Sequence, residues 1–171
     1  MSQLSLRPAV ESDLGAMTDI YAHHVLQGTG SFEEIPPDVC EMRKRWKERV
    51  EQGYPTLIAE IEQRVVGFAY ANAYKSRSAY RFTVEDSIYV APKATGRGVG
   101  RTLLQSLIQI CTEQNYRQMI AIVGDSANEA SIAVHTACGF SVIGTARELG
   151  FKHGRWLDIV FMQRPLKTDH S

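Results

Sequence analysis

The spacing of apolar residues along the chain predicts alternating strands and helices. Apolar side chains recur every three or four positions, the spacing of an amphipathic helix, in the segments 11–28, 37–51, 98–111 and 128–140. Short apolar runs and alternations bounded by turn residues predict strands at 4–9, 56–61, 64–74, 86–92, 118–124, 140–146 and 156–164.

The order of these elements predicts one α/β domain that spans residues 1–171. We expect a mixed central sheet of six to seven strands flanked by about four helices. A strand that is followed by a helix and a second strand usually returns in parallel. The strand–helix units at 86–111 and 118–138 should therefore form the parallel part of the sheet.

The composition argues against several classes of protein. Lys and Arg together number 19, as do Asp and Glu, so the formal net charge is zero. A protein that grips a nucleic-acid backbone usually has a basic surplus, so we expect no nucleic-acid partner. Three widely spaced cysteines without a CxxC pair predict neither a disulfide framework nor a metal site. No apolar run reaches the roughly 18 residues that span a bilayer, so we expect no membrane partner and a cytoplasmic location.

A glycine-rich segment, PKATGRGVGRTLL at residues 92–104, leads into the third predicted helix. Glycines at a helix N-terminus leave backbone N–H groups free to surround an anion, and the helix dipole favours negative charge there. Arg97 and Arg101 add positive charge to Gly96, Gly98 and Gly100. The segment therefore predicts a phosphate-binding loop.

Two common phosphate loops do not match this segment. A P-loop NTPase requires glycine where Thr95 stands and lysine where Arg101 stands. A dinucleotide-binding fold requires the spacing G-x-G-x-x-G, whereas these glycines follow G-x-G-x-G. A glycine-rich turn that binds nothing would not explain three glycines flanked by two arginines.

The stretch IYVAPKATGRGVGRTLL, residues 88–104, resembles the acetyl-CoA pyrophosphate loop of the GCN5-related N-acetyltransferases, although Thr95 stands where Arg or Gln is usual. The stretch NEASIAVHTACGF, residues 128–140, is similar to the helix that follows in that family. The resemblance implies acetyl-CoA as cosubstrate, without a metal. It also implies that the positions binding this cosubstrate are Ile88, Tyr89, Val90, Thr95, Gly96, Arg97, Gly98, Val99, Gly100, Arg101, Asn128 and Ser131.

Two further stretches, AYKSRSAYRFTVEDSIYVAP and GFKHGRWLDIVFMQ, are similar to the phosphinothricin branch of this family and to its relatives that acetylate methionine sulfone and sulfoximine. The likeness covers about residues 3–166. It implies acetylation of the α-amine of a small amino-acid-like substrate by a homodimer. The substrate-binding residues that it implies are Phe32, Lys75, Arg77, Tyr80 and Gly124, of which the loop residues Lys75, Arg77 and Tyr80 act partly across the dimer interface.

The resemblance also implies catalytic roles. Glu85 matches the general base of the family, and its neighbour Asp86 is the less favoured alternative. The backbone N–H of Val90 is expected to polarise the thioester carbonyl. His135 is the first candidate for protonating the leaving thiolate, and Tyr89 is the second.

Two alternatives to this function stay open. One is acetylation of peptide or protein N-termini, and the other is a non-catalytic regulatory module that binds acyl-CoA. Glu85 beside a complete glycine loop favours the enzyme, and the lack of cysteine in the catalytic segment from Glu85 through the glycine loop favours direct transfer. His23 and His24 are adjacent on a predicted helix, and we expect them to be structural or solvent-facing.

Overall fold

The computed structural model describes residues 3–167, which form a seven-stranded mixed sheet with four α-helices. The strands are β1 Leu4–Pro8, β2 Thr56–Ile61, β3 Arg64–Ala73, β4 Thr83–Val90, β5 Gln118–Gly124, β6 Ser141–Lys152 and β7 Arg155–Pro165. The helices are α1 Leu14–Gln27, α2 Val39–Glu51, α3 Val99–Glu113 and α4 Glu129–Ala137. The predicted α/β fold is confirmed.

The strand order across the sheet is β1-β2-β3-β4-β5-β7-β6, and β4 pairs with β5 in parallel while the other neighbouring strands are antiparallel. The parallel pairing is short, because it runs from Thr83 opposite Gln118 only to Glu85 opposite Ile120. Beyond that point the two strands part, and the edge of each that faces the gap is open.

The two faces of the sheet carry separate hydrophobic clusters. One cluster joins the apolar side of α3, with Leu103, Leu104 and Leu107, to residues such as Val84 and Met119 on the sheet. The other joins α1 and α2 to the opposite face. Alternate residues of β4 therefore project to opposite sides of the sheet.

Several predicted boundaries differ from the structure, and the pairing or capping contacts explain three of the differences. β4 begins at Thr83 rather than at residue 86, because its first residues already pair with β3 and β5. β6 continues to Lys152 rather than ending near 146, because its ladder with β7 resumes after a register shift between Ala146 and Gly150. α2 begins after Asp38, whose side chain accepts a hydrogen bond from the N–H of Glu41, rather than at the preceding proline.

Within residues 3–167, none of the helices is long and apolar enough to cross a membrane.

Candidate active site

A cleft of about 1040 Å³ opens where β4 and β5 part. Its walls come from the exposed edges of both strands, the start of α3, one side of α4 and the loop that follows α1. The predicted site residues that line it are Phe32, Glu85, Ile88, Tyr89, Val90, Thr95, Gly96, Gly98, Val99, Gly100, Arg101, Gly124, Asn128, Ser131 and His135.

The glycine loop forms one end of this cleft. Gly96 and Gly98 have φ angles of 74° and 77°, which lie in the left-handed region that glycine adopts without strain. Gly98 precedes the first residue of α3, and no side chain among residues 3–167 caps that end of the helix. The N–H groups of the first turn are therefore available to an anion. Arg97 is exposed and lies outside the lining of the cleft.

The open edge of β4 presents peptide groups to the gap. The N–H of Ala91 donates to Val66 O at 2.8 Å on β3, and successive peptide groups of a strand point to opposite edges. The N–H of Val90 therefore faces the gap. The carbonyl of Val90 lies 2.8 Å from His24 Nε2, which places a ring of α1 at the same edge.

Glu85 lies at the last position of β4 that pairs with β5, where the gap begins. Its side chain projects to the α1 and α2 side of the sheet, whereas the next residue, Asp86, projects to the α3 and α4 side. Burial, together with the charge of Asp86, raises the pKa of Glu85 from 4.5 to about 7. A carboxyl group with this pKa is poised to take and release protons near neutral pH.

His135 and Asp86 form a buried pair across the gap, the first on α4 and the second on β4. His135 Nε2 lies 2.9 Å from Asp86 Oδ2, and His135 Nδ1 lies 2.7 Å from the carbonyl of Ser131. Burial lowers the pKa of His135, but the hydrogen bond and charge of Asp86 and the Ser131 carbonyl outweigh it, so the pKa is raised above its ordinary value. Both ring nitrogens are engaged, so the expected proton donor to the thiolate has no free nitrogen in this geometry.

Tyr89, the second candidate for proton donor, projects to the other side of the sheet. Its ring packs against Tyr21 at 4.9 Å between centroids and against His24 at 5.4 Å. Burial raises the pKa of Tyr89 well above its usual value. The phenol is therefore a poor proton source at neutral pH.

Phe32 forms an aromatic wall of the cleft. Its ring packs so closely on Gly124 that a Cβ at this glycine would lie 2.7 Å from the ring and 2.1 Å from the carbonyl oxygen of Thr29. A Cβ at Gly150 on β6 would lie 2.2 Å from the same ring. Glycine at both positions therefore makes room for the aromatic wall.

Asn128 lies at the N-terminus of α4, where its side-chain oxygen accepts a hydrogen bond from the N–H of Ser131 at 3.2 Å. This contact caps the helix and orients the Asn128 side chain beside the cleft. Lys75, Arg77 and Tyr80 lie elsewhere, around a separate depression of about 390 Å³. The structure of one chain therefore does not bring these three predicted substrate-binding residues to the cleft.

The comparisons with known proteins agree with this geometry. Residues 17–140 match the model of the acetyltransferase (GNAT) family. The chain belongs to this family. It is 55% identical to the phosphinothricin N-acetyltransferase of Alcaligenes faecalis, over 96% of this chain and 83% of that protein. It is 38% identical to the L-methionine sulfoximine/L-methionine sulfone acetyltransferase of Salmonella typhimurium, over 95% of each chain.

A solved structure extends the likeness to three dimensions. The crystal structure of a GNAT phosphinothricin acetyltransferase from Sinorhizobium meliloti, in complex with acetyl-CoA, superposes with a TM-score of 0.93 at 48% identity. The match covers 96% of this chain and 89% of that one. The chain is thus an N-acetyltransferase whose relatives form the phosphinothricin and methionine sulfoximine branch, as the sequence predicted.

Sequence reasoning missed three residues of this GNAT site. His24 was expected to be structural or solvent-facing, but it contacts the Val90 carbonyl inside the cleft. Gly150 and Lys152 lie in the stretch GFKHGRWLDIVFMQ, which carried the resemblance to the phosphinothricin branch, but neither was assigned a role. They lie on the part of β6 that the apolar pattern did not predict, so nothing in the sequence indicated that they contact the loop after α1.

Proposed function

We propose that this chain is an acetyl-CoA-dependent N-acetyltransferase that acetylates the α-amine of a small amino-acid-like substrate by direct transfer, with Glu85 as general base. Phosphinothricin, methionine sulfoximine and methionine sulfone are the substrates that its relatives suggest. The observation that carries the proposal is the half-buried Glu85, with its pKa raised to about 7, at the point where β4 and β5 part.

The residues of the cleft fit acetyl-CoA. The free N–H groups at the start of α3, with Gly96 and Gly98 in left-handed conformations and Arg101 alongside, would hold the pyrophosphate. The open edges of β4 and β5 would hold the pantetheine arm through backbone groups. When bound there, acetyl-CoA supplies an acetyl thioester as the electrophile.

Glu85 serves to keep the attacking amine neutral. A protonated amine has no lone pair, so a proton must leave the substrate nitrogen before that nitrogen attacks. The carboxylate of Glu85 takes this proton, directly or through one water, once the pH exceeds its pKa of about 7. Because Glu85 lies within β4 rather than in a loop, its carboxylate is held in the cleft at the point where β4 and β5 part.

The N–H of Val90 stabilises the charge that develops on the thioester carbonyl. It faces the gap, and it donates to the carbonyl oxygen as negative charge builds there. His135 is not available as a proton donor to the thiolate, because Asp86 and the Ser131 carbonyl occupy both ring nitrogens. A thiolate needs little further help, since the pKa of a thiol is about 8.5.

A homodimer would complete the acceptor site, which is the site for the amino-acid-like substrate that accepts the acetyl group. Lys75, Arg77 and Tyr80 stand apart from the cleft of their own chain, and they would bind the anionic groups of the substrate from across the dimer interface. An exposed apolar strip of Leu149, Phe151 and Trp156 on β6 and β7 is available for that interface.

The proposal is tested by thiol release from acetyl-CoA with a panel of phosphinothricin, methionine sulfoximine, methionine sulfone, methionine, glutamate and a short peptide. We expect turnover on the first three and a loss of about 10²–10⁴-fold in kcat for Glu85→Gln, with acetyl-CoA binding retained. The matched control is Glu51→Gln, which removes an exposed carboxylate at the end of α2.

The wild-type kcat/KM should fall about tenfold per pH unit below pH 7, because protonation of Glu85 removes the base.

Other outcomes would point elsewhere. Turnover on the peptide alone would mean an N-terminal acetyltransferase. Acetyl-CoA binding without turnover on any amine would favour a regulatory module. A pH profile that is the same in wild type and in Glu85→Gln would remove Glu85 from the role of base.

A further inference from the structure

The loop after α1, residues 28–33, is held on one side by a chain of hydrogen bonds from the helices. The hydroxyl of Tyr21 on α1 lies 2.8 Å from Ser31 Oγ and also donates to the carboxylate of Glu33. Arg45 on α2 donates to both oxygens of Glu33, at 2.8 and 3.0 Å. These contacts fix the loop to α1 and α2.

The tip of the β6–β7 hairpin holds the same loop from the other side. Lys152 Nζ donates to the carbonyl oxygen of Ser31 at 2.6 Å, and His153 Nε2 lies 3.0 Å from the carbonyl oxygen of Gly28. Two successive residues of the hairpin thus meet two carbonyls of the loop.

Lys152 is buried, with only 3% of its surface exposed. Lysine is rarely this buried, because removing an ammonium from water is costly unless its hydrogen bonds are replaced. The hydrogen bond to Ser31 is charge-assisted, which makes it stronger than a bond between neutral groups. The carboxylates of Glu33 and Glu34 add attraction at longer range. The buried ammonium of Lys152 therefore depends on the Ser31 carbonyl as its hydrogen-bond partner, and it holds the loop in place in return.

Between these two anchors lies Phe32, the aromatic wall of the cleft. Its ring packs on Gly124 of β5 and on Gly150, which precedes Lys152 by two residues and projects to the same side of β6. A movement of the loop that broke the Lys152 bond would lift this ring away from both glycines. Because this ring lines the cleft beside Gly124, its position sets the width of the cleft there.

We propose that Lys152 is a positioning residue that sets the acceptor selectivity of the enzyme by holding the carbonyl of Ser31, and with it the ring of Phe32, against β5 and β6. The effects on KM that this proposal predicts rest on the proposed acetyltransferase function. Lys152 does not touch the reacting atoms, so it acts on acceptor binding and not on the chemistry of acetyl transfer.

The test uses the full chain with Lys152→Met, which keeps the length of the side chain but removes every donor. We expect the KM for methionine sulfone or phosphinothricin to rise roughly tenfold or more, because the Ser31 carbonyl loses its partner and the wall moves. The KM for acetyl-CoA should not change. The ratio of kcat/KM for methionine sulfone to that for phenylalanine should fall, because a displaced wall admits a larger side chain.

Two variants make the test specific. Lys152→Arg keeps a charged donor and should restore part of the acceptor KM. Lys47→Met removes an exposed lysine of α2 and should change neither KM. Should Lys152→Met fail to fold, Lys152→Gln replaces it. Its amide is shorter and uncharged, so the charge-assisted bond to the Ser31 carbonyl is lost and the acceptor KM should change in the same direction.

A readout without turnover separates this proposal from the proposed function. Amide hydrogen exchange at residues 29–33 should be faster in Lys152→Met, while exchange in α3 should be unchanged. Unchanged exchange and acceptor KM would overturn the positioning role, as would an equal rise of both KM values. If the wild type acetylates no amino acid, the proposed function fails, and the exchange experiment still decides whether Lys152 holds the loop.

Discussion

Glu85 shows how a single residue combines function with a cost in stability. Its folded pKa of about 7 lies above the ordinary value of 4.5, so the folded chain holds the Glu85 proton more tightly than the unfolded chain. Above pH 7 the ionised carboxylate therefore destabilises the fold, and below about pH 4.5 the effect is absent. A raised pKa that suits a base at neutral pH is thus a source of instability under the same conditions.

We predict that Glu85→Gln is more stable than the wild type at pH 8. The shift corresponds to at most about 3.5 kcal/mol in the free energy of unfolding, at about 1.4 kcal/mol per pKa unit. Thermal unfolding at pH 8 should show a midpoint higher by several degrees, and at pH 4 the difference should disappear. Glu51→Gln, at an exposed site, should show no such pH dependence. A variant less stable than wild type at pH 8 would show that the ionised carboxylate makes favourable contacts that outweigh its burial.

Individual site residues could be predicted only where a motif identified them. Glu85 and the glycine loop were found in this way. The opposite directions of Glu85 and Asp86 could not be found, because they depend on β4 starting at Thr83 and on which face each helix covers. The contact between Asp86 and His135 joins residues 49 positions apart, and no local pattern indicates it.

The start of α3 is the element that, in the proposed function, holds the pyrophosphate of acetyl-CoA. Gly98 has a φ of 77° at the N-terminus of the helix. Gly53, after α2, has a φ of 79° and lies outside the cleft. A Cβ at either position would meet no atom within 4 Å, so alanine would cause the same kind of backbone strain at both sites. The two glycines therefore form a matched pair.

We predict that Gly98→Ala and Gly53→Ala lose similar stability, about 1–2 kcal/mol each, because alanine disfavours the left-handed conformation. Only Gly98→Ala should weaken acetyl-CoA binding, by roughly tenfold or more, because the N–H groups of the loop shift away from the pyrophosphate. Calorimetric titration with acetyl-CoA, alongside thermal unfolding of both variants, measures the two effects. Equal affinities in the two variants would contradict a role for the backbone of Gly98 in binding.

Most strands and helices could be predicted from apolar spacing, since their buried faces carry the expected period. The second half of β6 could not, because its pattern is reversed. Leu149 and Phe151 project outwards and are 63% and 55% exposed, while Gly150 and Lys152 project inwards. An alternation with the apolar residues outside has no explanation within one chain, and it is typical of a surface that is covered by another molecule.

At the scale of the whole molecule, β6 is an edge strand of the sheet, and its outer face continues onto β7. Phe151 lies opposite Trp156, with 5.0 Å between ring centroids, and Trp156 is 61% exposed. Long exposed edges with apolar side chains are avoided in proteins that stay monomeric. The inner face of the same hairpin holds the loop of Phe32 through Lys152. A second copy bound to the outer face would therefore contact the same strand, on its opposite side, that holds the loop of Phe32 through Lys152.

We predict that the wild type is a homodimer and that Trp156→Asp is a monomer, because a carboxylate at the centre of the apolar strip would be buried without a partner. Sedimentation equilibrium measures the two masses. Val10→Asp is the control, because Val10 is 49% exposed at the turn between β1 and α1, away from this hairpin, and should leave the dimer intact. If Lys75, Arg77 and Tyr80 reach the cleft of the second copy, the monomer should also show a raised acceptor KM at an unchanged KM for acetyl-CoA. A monomeric wild type would instead require that these three residues act from their own depression, and the apolar strip would then need a different partner.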